Sequence, residues 1–401
     1  MRDVFIYDGL RTPFGRHAGA LASVRPDDLL GTVIQAVVER SPFRPDQYED
    51  VVVGCTNQAG EDCRNIGRRA GLIAGLPVDV AGMTVNRLCA SGLAAVLDAS
   101  RAVQCEQGEL FVAGGVESMS RAPFVIAKSE RAYGRQLAAY DSTLGSRFPN
   151  QIVVKQYSDH AMFETAEEIA SDLGITREAS DRFAALSQQK YERAKRSSFY
   201  GGELHPVSVA DSRREGSTSV VEDEHPRPGT DFERLSSLQP LSDKGVVTAG
   251  NASGINDGAV ALIVGSRDAG VQVEIEPIAR IVAAAVAGVE PRVMGLGPVP
   301  ASRKALARAG LTLDDMDVIE INEAFASQVL GCLKLFNLPA EDSRINPNGG
   351  AIAIGHPLGA SGARLALTAV RELRRTEGRY ALVTLCIGVG QGLAAVVERV
   401  H

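Results

Sequence analysis

The feature that most restricts the fold of this chain is a pattern that occurs twice. A buried strand (Val4 to Tyr7), an amphipathic helix (Leu29 to Val38, with Leu30, Val33, Ile34 and Val37 on one face) and a short apolar strand headed by an acid (Asp50 to Val53) follow one another. After residue 269 the same order returns: a strand (Ala279 to Ala283), a Pro/Gly loop (Gly295 to Pro300), a helix (Ser302 to Ala309) and Asp317-Val318-Ile319-Glu320. Asp50 and Asp317 are 267 residues apart. That offset carries Cys89 onto His356 and Met119 onto Cys386. Matching Ala90-Ser91-Gly92 to Ala360-Ser361-Gly362 gives 270 instead, so the register is set to within about one helical turn. The repeat predicts an α/β chain of two similar halves, in which a pseudo-twofold axis brings equivalent strand-to-helix junctions together.

Two of those junctions carry reactive side chains. Gly82 to Asn86 is extended and Leu93 to Val103 is a small-residue helix, so Cys89 stands where a strand becomes a helix. A helix N-terminus stabilises a thiolate there; the plain alternative is an inert buried cysteine. His356 lies in Asn346–Gly362, NPNGGAIAIGHPLGASG, which is rich in Gly and Ala. That stretch predicts close backbone approach, with Ala351 to Ile354 as a buried strand and His356 as the one titratable side chain. A satisfied core histidine is the plain alternative. Cys386 follows the apolar strand Ala381 to Leu385 and precedes Ile387-Gly388-Val389-Gly390, whose N–H groups are suited to an oxyanion. A Gly turn from strand to helix is the alternative. Asn322, also after a strand, orients a water or an oxyanion, or else forms a turn.

Between the halves, residues 121 to 249 hold most charge clusters and little strand-like sequence. Thr165-Ala166-Glu167-Glu168 reads as a capping box at a helix start, Thr176 opens a second helix, and Ser212 to Glu224 reads as a polar loop. The chain therefore divides into a first half (1–120 and 250–268), an inserted, partly helical segment (121–249) and a second half (269–401).

Composition removes several classes. A net charge of −7 argues against nucleic acid. No apolar run is long enough to span a membrane, and the first residues lack the parts of a signal peptide or acyl anchor, so a cytoplasmic protein is expected. The six cysteines (Cys55, Cys63, Cys89, Cys105, Cys332, Cys386) form no CxxC pair and have no zinc-finger spacing, so reduced thiols and no metal are expected. No GxGxxG follows the first strand, which argues against a dinucleotide oxidoreductase.

NRLCASG (from Asn86), GGVESMS (from Gly114), TAGNASGINDGA (from Thr248), NEAFA (from Asn322), GGAIAIGHPLGASGAR (from Gly349) and CIGVGQG (from Cys386) occur in this order. Together they resemble the thiolase family of acyl-CoA acetyltransferases, over essentially the whole chain. The resemblance implies a five-layer α/β/α/β/α core. It implies Cys89 as the acylated nucleophile, His356 as its base and Cys386 as the second acid and base. Asn322 matches the residue that, through a water and with His356, forms one oxyanion hole; the N–H groups of Cys89 and Gly388 match the other. Coenzyme A, as co-substrate and not a tightly held cofactor, is implied to lie against Ser253, Met162, Arg227, Ala324 and Phe325. A homotetramer or homodimer is implied as well.

GCTNQAGEDCRN (from Gly54), SMSRAPFV (from Ser118), Val289 to Gly295 and CIGVGQG resemble the 3-oxoadipyl-CoA branch, which yields succinyl-CoA and acetyl-CoA in aromatic-compound breakdown. Residues 145–164, in the loop that covers the acyl group in the family, depart from the pattern expected there, and an acetoacetyl-CoA or other 3-ketoacyl-CoA thiolase stays open. A dicarboxylic chain calls for a cation near its far end; Arg147 and Lys155 are candidates, against plain surface solvation. Other readings are a ketoacyl-synthase-type condensing enzyme, disfavoured by the cysteine of CIGVGQG, and a non-catalytic CoA- or lipid-binding protein, disfavoured by Cys89 and His356.

Overall fold

The architecture, seen in a computed structural model that describes residues 2–210 and 216–400, repeats one unit. In the first half β1 (Phe5–Arg11), α1 (Pro26–Arg40), β2 (Asp50–Gly54), α2 (Ile66–Ile73), β3 (Ala81–Val85), α3 (Ser91–Gln104) and β4 (Leu110–Ser118) come in order. The inserted segment contributes α4 (Met162–Leu173) and α5 (Arg177–Arg196), and β5 (Asn256–Gly265) closes the half. The second half runs β6 (Ala279–Gly288), α6 (Pro298–Ala309), β7 (Val318–Ile321), α7 (Ala326–Phe336), α8 (Ala351–Ile354), α9 (Leu358–Thr376), β8 (Tyr380–Ile387) and β9 (Gln391–Arg399).

The strands lie in the order β7-β8-β9-β6-β1-β5-β4-β2-β3. Each half alone reads the same from the centre outward: β1-β5-β4-β2-β3 and β6-β9-β8-β7. Even the last strand has a twin, because Ile345 bridges Ile319 of β7 in parallel as β3 does β2. The halves join where β1 meets β6 through Phe5↔Arg280 and Ile6↔Ala279, making one continuous sheet. α1 and α2 cover the outer face of the first half, α6 and α7 that of the second, and α3 packs on α9 between the halves. Three apolar cores match these layers. The central one joins Leu93, Val96 and Leu97 of α3 to Leu365, Leu367 and Val370 of α9. The outer ones lie under α1 and under α6 and α7.

The central contact is close because small residues line it. A Cβ on Gly92 would stand 2.6 Å from the Gly359 carbonyl oxygen, and one on Gly115 1.9 Å from the same atom. Helix, strand and helix thus touch by backbone, which only glycine permits.

Several local expectations change. Ala351–Ile354 is the short helix α8, not a strand: the Glu323 carboxylate accepts the Ile352 N–H (3.1 Å), the Asn346 amide (2.8 Å) and the Ser187 hydroxyl (2.6 Å), and so fixes a tight turn there. α4 begins at Met162, not Thr165; the Glu164 carboxylate takes the Ala161 N–H at 2.7 Å, and Thr165 lies inside the helix bonded to the Met162 carbonyl. Gly388 to Gly390 turns strand β8 into strand β9, where a strand-to-helix turn was the alternative. The Pro/Gly loop at 295–300 is the 3-10 turn Pro291–Leu296 running into α6. Within the expected loop 212–224, Ser217–Val220 pairs with Val207–Ala210, while 211–215 lie outside the described residues. The insertion is pinned to β1 by buried Arg11, which bonds Glu203 (2.6 Å) and Asp223 (2.6 and 2.8 Å) between the rings of Phe14 and Tyr200.

Candidate active site

α3 and α9 begin 267 residues apart, at Ser91 and Leu358, and each has one of the two candidate residues two positions ahead: Cys89 and His356. The Cys89 turn is strained. Leu88 has φ +47°, the left-handed region, which costs an ordinary residue about 1–2 kcal/mol. Side chains hold it there. Asn86 Oδ1 accepts the Leu88 N–H (2.9 Å), and Ser91 Oγ accepts the Arg87 N–H (2.8 Å) and donates to the Leu88 carbonyl (2.7 Å). Such strain concentrates at functional positions.

Part of Cys89 reaches solvent, yet the packing around it pushes its thiol up to about 11, with the Gly388 N–H and its own N–H pulling back. Burial likewise raises Cys386, and the neighbouring Cys89 raises it further. Cys386 shares a small apolar cluster with Met294, Ala324 and the edge of Phe325. All six cysteines are free thiols.

His356 is 4% exposed. Burial first, and the Arg364 charge second, push its pKa down to about 3, so the imidazole is neutral. Ser361 Oγ donates its one proton to the Pro357 carbonyl (2.9 Å), so its contact with His356 Nδ1 (2.6 Å) requires an N–H there. Nε2 is left as the acceptor, 3.4 Å from the Asn322 amide nitrogen. Asn322 Oδ1 is buried without a partner.

Of the residues expected against coenzyme A, four join this cluster. The Ser253 N–H donates to the Ala324 carbonyl at 2.9 Å, and Ala252 bridges Phe325. Met162 Sδ stands 3.9 Å from where a Gly388 Cβ would be, opposite Leu88. Arg227 is exposed and joins only indirectly: its N–H bonds Gln188 Oε1 (3.1 Å), whose amide donates to the Ile352 carbonyl (3.2 Å).

Residues that sequence reasoning left without a role complete the site. Ser361 sets the imidazole tautomer. Asn256 Oδ1 holds the His356 N–H at 2.8 Å. Buried Glu117 accepts the N–H groups of Thr56 (3.1 Å) and Asn57 (3.0 Å) from one half and of Gly359 (2.9 Å) from the other. All three lie in motifs quoted above, but the contacts span up to 242 residues, and no local spacing marks them.

Two neighbouring thiols, with a neutral imidazole just ahead of the helix packed on α3, accord with an acyltransferase. The chain belongs to the thiolase family. The profile of the thiolase N-terminal domain matches residues 4–268 and that of the C-terminal domain residues 275–399. It is 54% identical, over the full length of both chains, to the 3-oxoadipyl-CoA/3-oxo-5,6-dehydrosuberyl-CoA thiolase of Escherichia coli (strain K12). The crystal structure of Bacillus anthracis acetyl-CoA acetyltransferase superposes with a TM-score of 0.92 at 36% identity, covering 100% of this chain and 99% of that one. Human mitochondrial 3-ketoacyl-CoA thiolase in complex with CoA gives 0.91 at 37%, covering 100% and 98%.

Proposed function

We propose that this chain cleaves 3-oxoadipyl-CoA with coenzyme A to succinyl-CoA and acetyl-CoA. The observation that carries the chemistry is that the Cys89 thiol lies against the Gly388 N–H and beside Cys386, with the Ser361-oriented His356 just ahead of the helix that packs on α3. The acyl group is supported by the full-length identity with the Escherichia coli protein of that name.

In this reading His356 Nε2 takes the Cys89 proton as the thiolate attacks the 3-keto carbon. The resulting oxyanion is held by the protonated imidazole and a water on Asn322, or by the N–H groups of Cys89 and Gly388. Collapse breaks the C2–C3 bond, and the departing acetyl-CoA enolate takes the Cys386 proton. Coenzyme A then enters, gives its thiol proton to Cys386 and attacks the acyl-cysteine; Cys89 leaves as thiolate and recovers its proton from His356. No group is consumed over the cycle.

Ser253, Met162, Ala324 and Phe325 form the wall along which the pantetheine lies. Arg227, beside a cavity of about 440 Å³ lined by Gln188, Glu192, Arg193 and Thr230, takes the polar end. Residues 121–249 act as the cover, 1–120 with 250–268 carry the nucleophile, and 269–401 carry His356 and Cys386. The outer edge of β3 ends the sheet, half-buried from Gly82 to Val85, and supports pairing of two copies in a homodimer or homotetramer. No helix among the described residues is long and apolar enough to cross a membrane, in keeping with a cytoplasmic place.

Thiolysis assays with 3-oxoadipyl-CoA, acetoacetyl-CoA and 3-oxohexanoyl-CoA test the reading. Preference for 3-oxoadipyl-CoA is expected. Preference for acetoacetyl-CoA overturns the substrate, and no cleavage of any overturns the enzyme in favour of CoA binding alone.

A further inference from the structure

The thiols and the imidazole account for bond making and breaking but not for the choice of a dicarboxylic acyl chain. On the reading above, the succinyl group left on Cys89 ends in a carboxylate at the far end of a four-carbon chain. A buried carboxylate needs a cation or several N–H donors. Of the two cations in the covering loop, Lys155 is exposed on the short helix Gln151–Tyr157. Arg147 is different. It is half-buried, and its Nη1 donates to Asn57 Oδ1 at 3.1 Å.

Asn57 is itself 5% exposed. Its amide nitrogen bonds Ser142 Oγ (3.0 Å), and its backbone N–H bonds Glu117. The preceding residue, Thr56, accepts the Asn86 amide on its carbonyl (3.1 Å), and Asn86 holds the Leu88 N–H next to Cys89. Arg147 thus rests on the framework that shapes the Cys89 turn. Among the described residues no carboxylate lies within 4.0 Å of its nitrogens. Asp62 is the acid that senses its charge: burial raises the Asp62 carboxyl and Arg147 lowers it. One edge of the guanidinium is anchored, and among the described residues its Nε and Nη2 have no hydrogen-bond partner.

We propose that Arg147 is the specificity residue of this site, receiving the terminal carboxylate of the acyl chain while Asn57 holds its other edge. A planar guanidinium suits this task because it presents parallel N–H groups to both carboxylate oxygens. Asn57 fixes the side chain before substrate arrives, so little ordering is left to the acyl group.

The test compares 3-oxoadipyl-CoA with 3-oxohexanoyl-CoA, the same chain ending in a methyl group. In Arg147→Met, kcat/KM for 3-oxoadipyl-CoA should fall by about 10- to 150-fold, the range of a hydrogen bond to a charged group. The value for 3-oxohexanoyl-CoA should change by less than about threefold. Arg147→Lys should recover part of the loss, and Lys155→Met should change neither substrate. Equal loss on both substrates, or loss on neither, overturns the role of Arg147. A wild-type enzyme that cleaves 3-oxohexanoyl-CoA but leaves 3-oxoadipyl-CoA intact overturns the substrate reading instead, and removes the carboxylate Arg147 is said to hold.

Discussion

Ser361 Oγ stands 2.6 Å from His356 Nδ1, and which ring nitrogen serves as base in the proposed mechanism rests on that contact. The hydroxyl belongs to the first turn of α9 and is locked by its own bond to the Pro357 carbonyl, so it rises and falls with the helix. Ser361→Ala frees the ring to rotate and to exchange tautomers. We expect kcat to fall about tenfold, the worth of one buried hydrogen bond, with KM nearly unchanged and with recovery in Ser361→Thr. Steady-state kinetics of the two variants check this; a change in KM alone would show that Ser361 acts only on binding.

Cys89, at about 11, and His356, at about 3, are both neutral at pH 7, not a thiolate and an imidazolium. Reactivity towards iodoacetamide follows the thiolate fraction. Its rate should therefore climb about tenfold per pH unit from pH 7 to 9, without a plateau. A plateau below pH 8 would mean that the pair is ionised before substrate binds.

In the proposed mechanism Cys386 handles the α-carbon proton and not the acyl transfer. In Cys386→Ala, acylation of Cys89 from acetyl-CoA, seen by intact mass, should persist. Carbon–carbon cleavage should fall by about 10²- to 10⁴-fold, the contribution of a general acid. In Cys89→Ser the mass adduct should vanish. Equal loss of both reactions in the Cys386 variant would mark that residue as structural.

Gly359 is one of the tight points of the central layer. A Cβ there would stand 2.3 Å from the Val116 oxygen and 2.8 Å from the Gly54 oxygen, both backbone atoms that cannot rotate away. Gly359→Ala should cost about 1–3 kcal/mol. Gly201→Ala, where nothing lies within 4 Å, should leave the melting temperature in place. Thermal unfolding of the two variants decides it.

What the sequence made legible was the duplication and the equivalent places of Cys89 and His356 within it. The spacing between Cys89 and His356 survives as the spacing between the starts of α3 and α9, because the small residues on both helices leave no room for slippage. What stayed hidden were contacts made across the fold. The helical state of Ala351–Ile354 depends on Glu323, twenty-nine residues before the N–H it accepts, so its apolar run alone looked like a strand. The role of Glu117 depends on Gly359. Arg147 could not be told from Lys155 until the structure set one of them on Asn57 and left the other in solvent.

Glu117 gives a prediction in which the sign is informative. It is wholly surrounded by protein, and burial raises its carboxyl to about 7 although the N–H groups of Asn57, Thr56 and Gly359 pull it down. The folded state therefore keeps a proton that the unfolded chain, at its ordinary 4.5, has lost. A raised folded value stabilises fully below about pH 4.5 and loses that stabilisation as pH rises through about 7. At 1.36 kcal/mol per unit the swing is on the order of 3 kcal/mol. Glu117→Gln cannot titrate, so the stability of the wild type relative to this variant should fall between pH 5 and pH 8. Urea midpoints of both proteins at the two pH values measure it. A difference that grows with pH would mean that the three N–H donors hold the carboxylate ionised, and that Glu117 ties the two halves together as an anion.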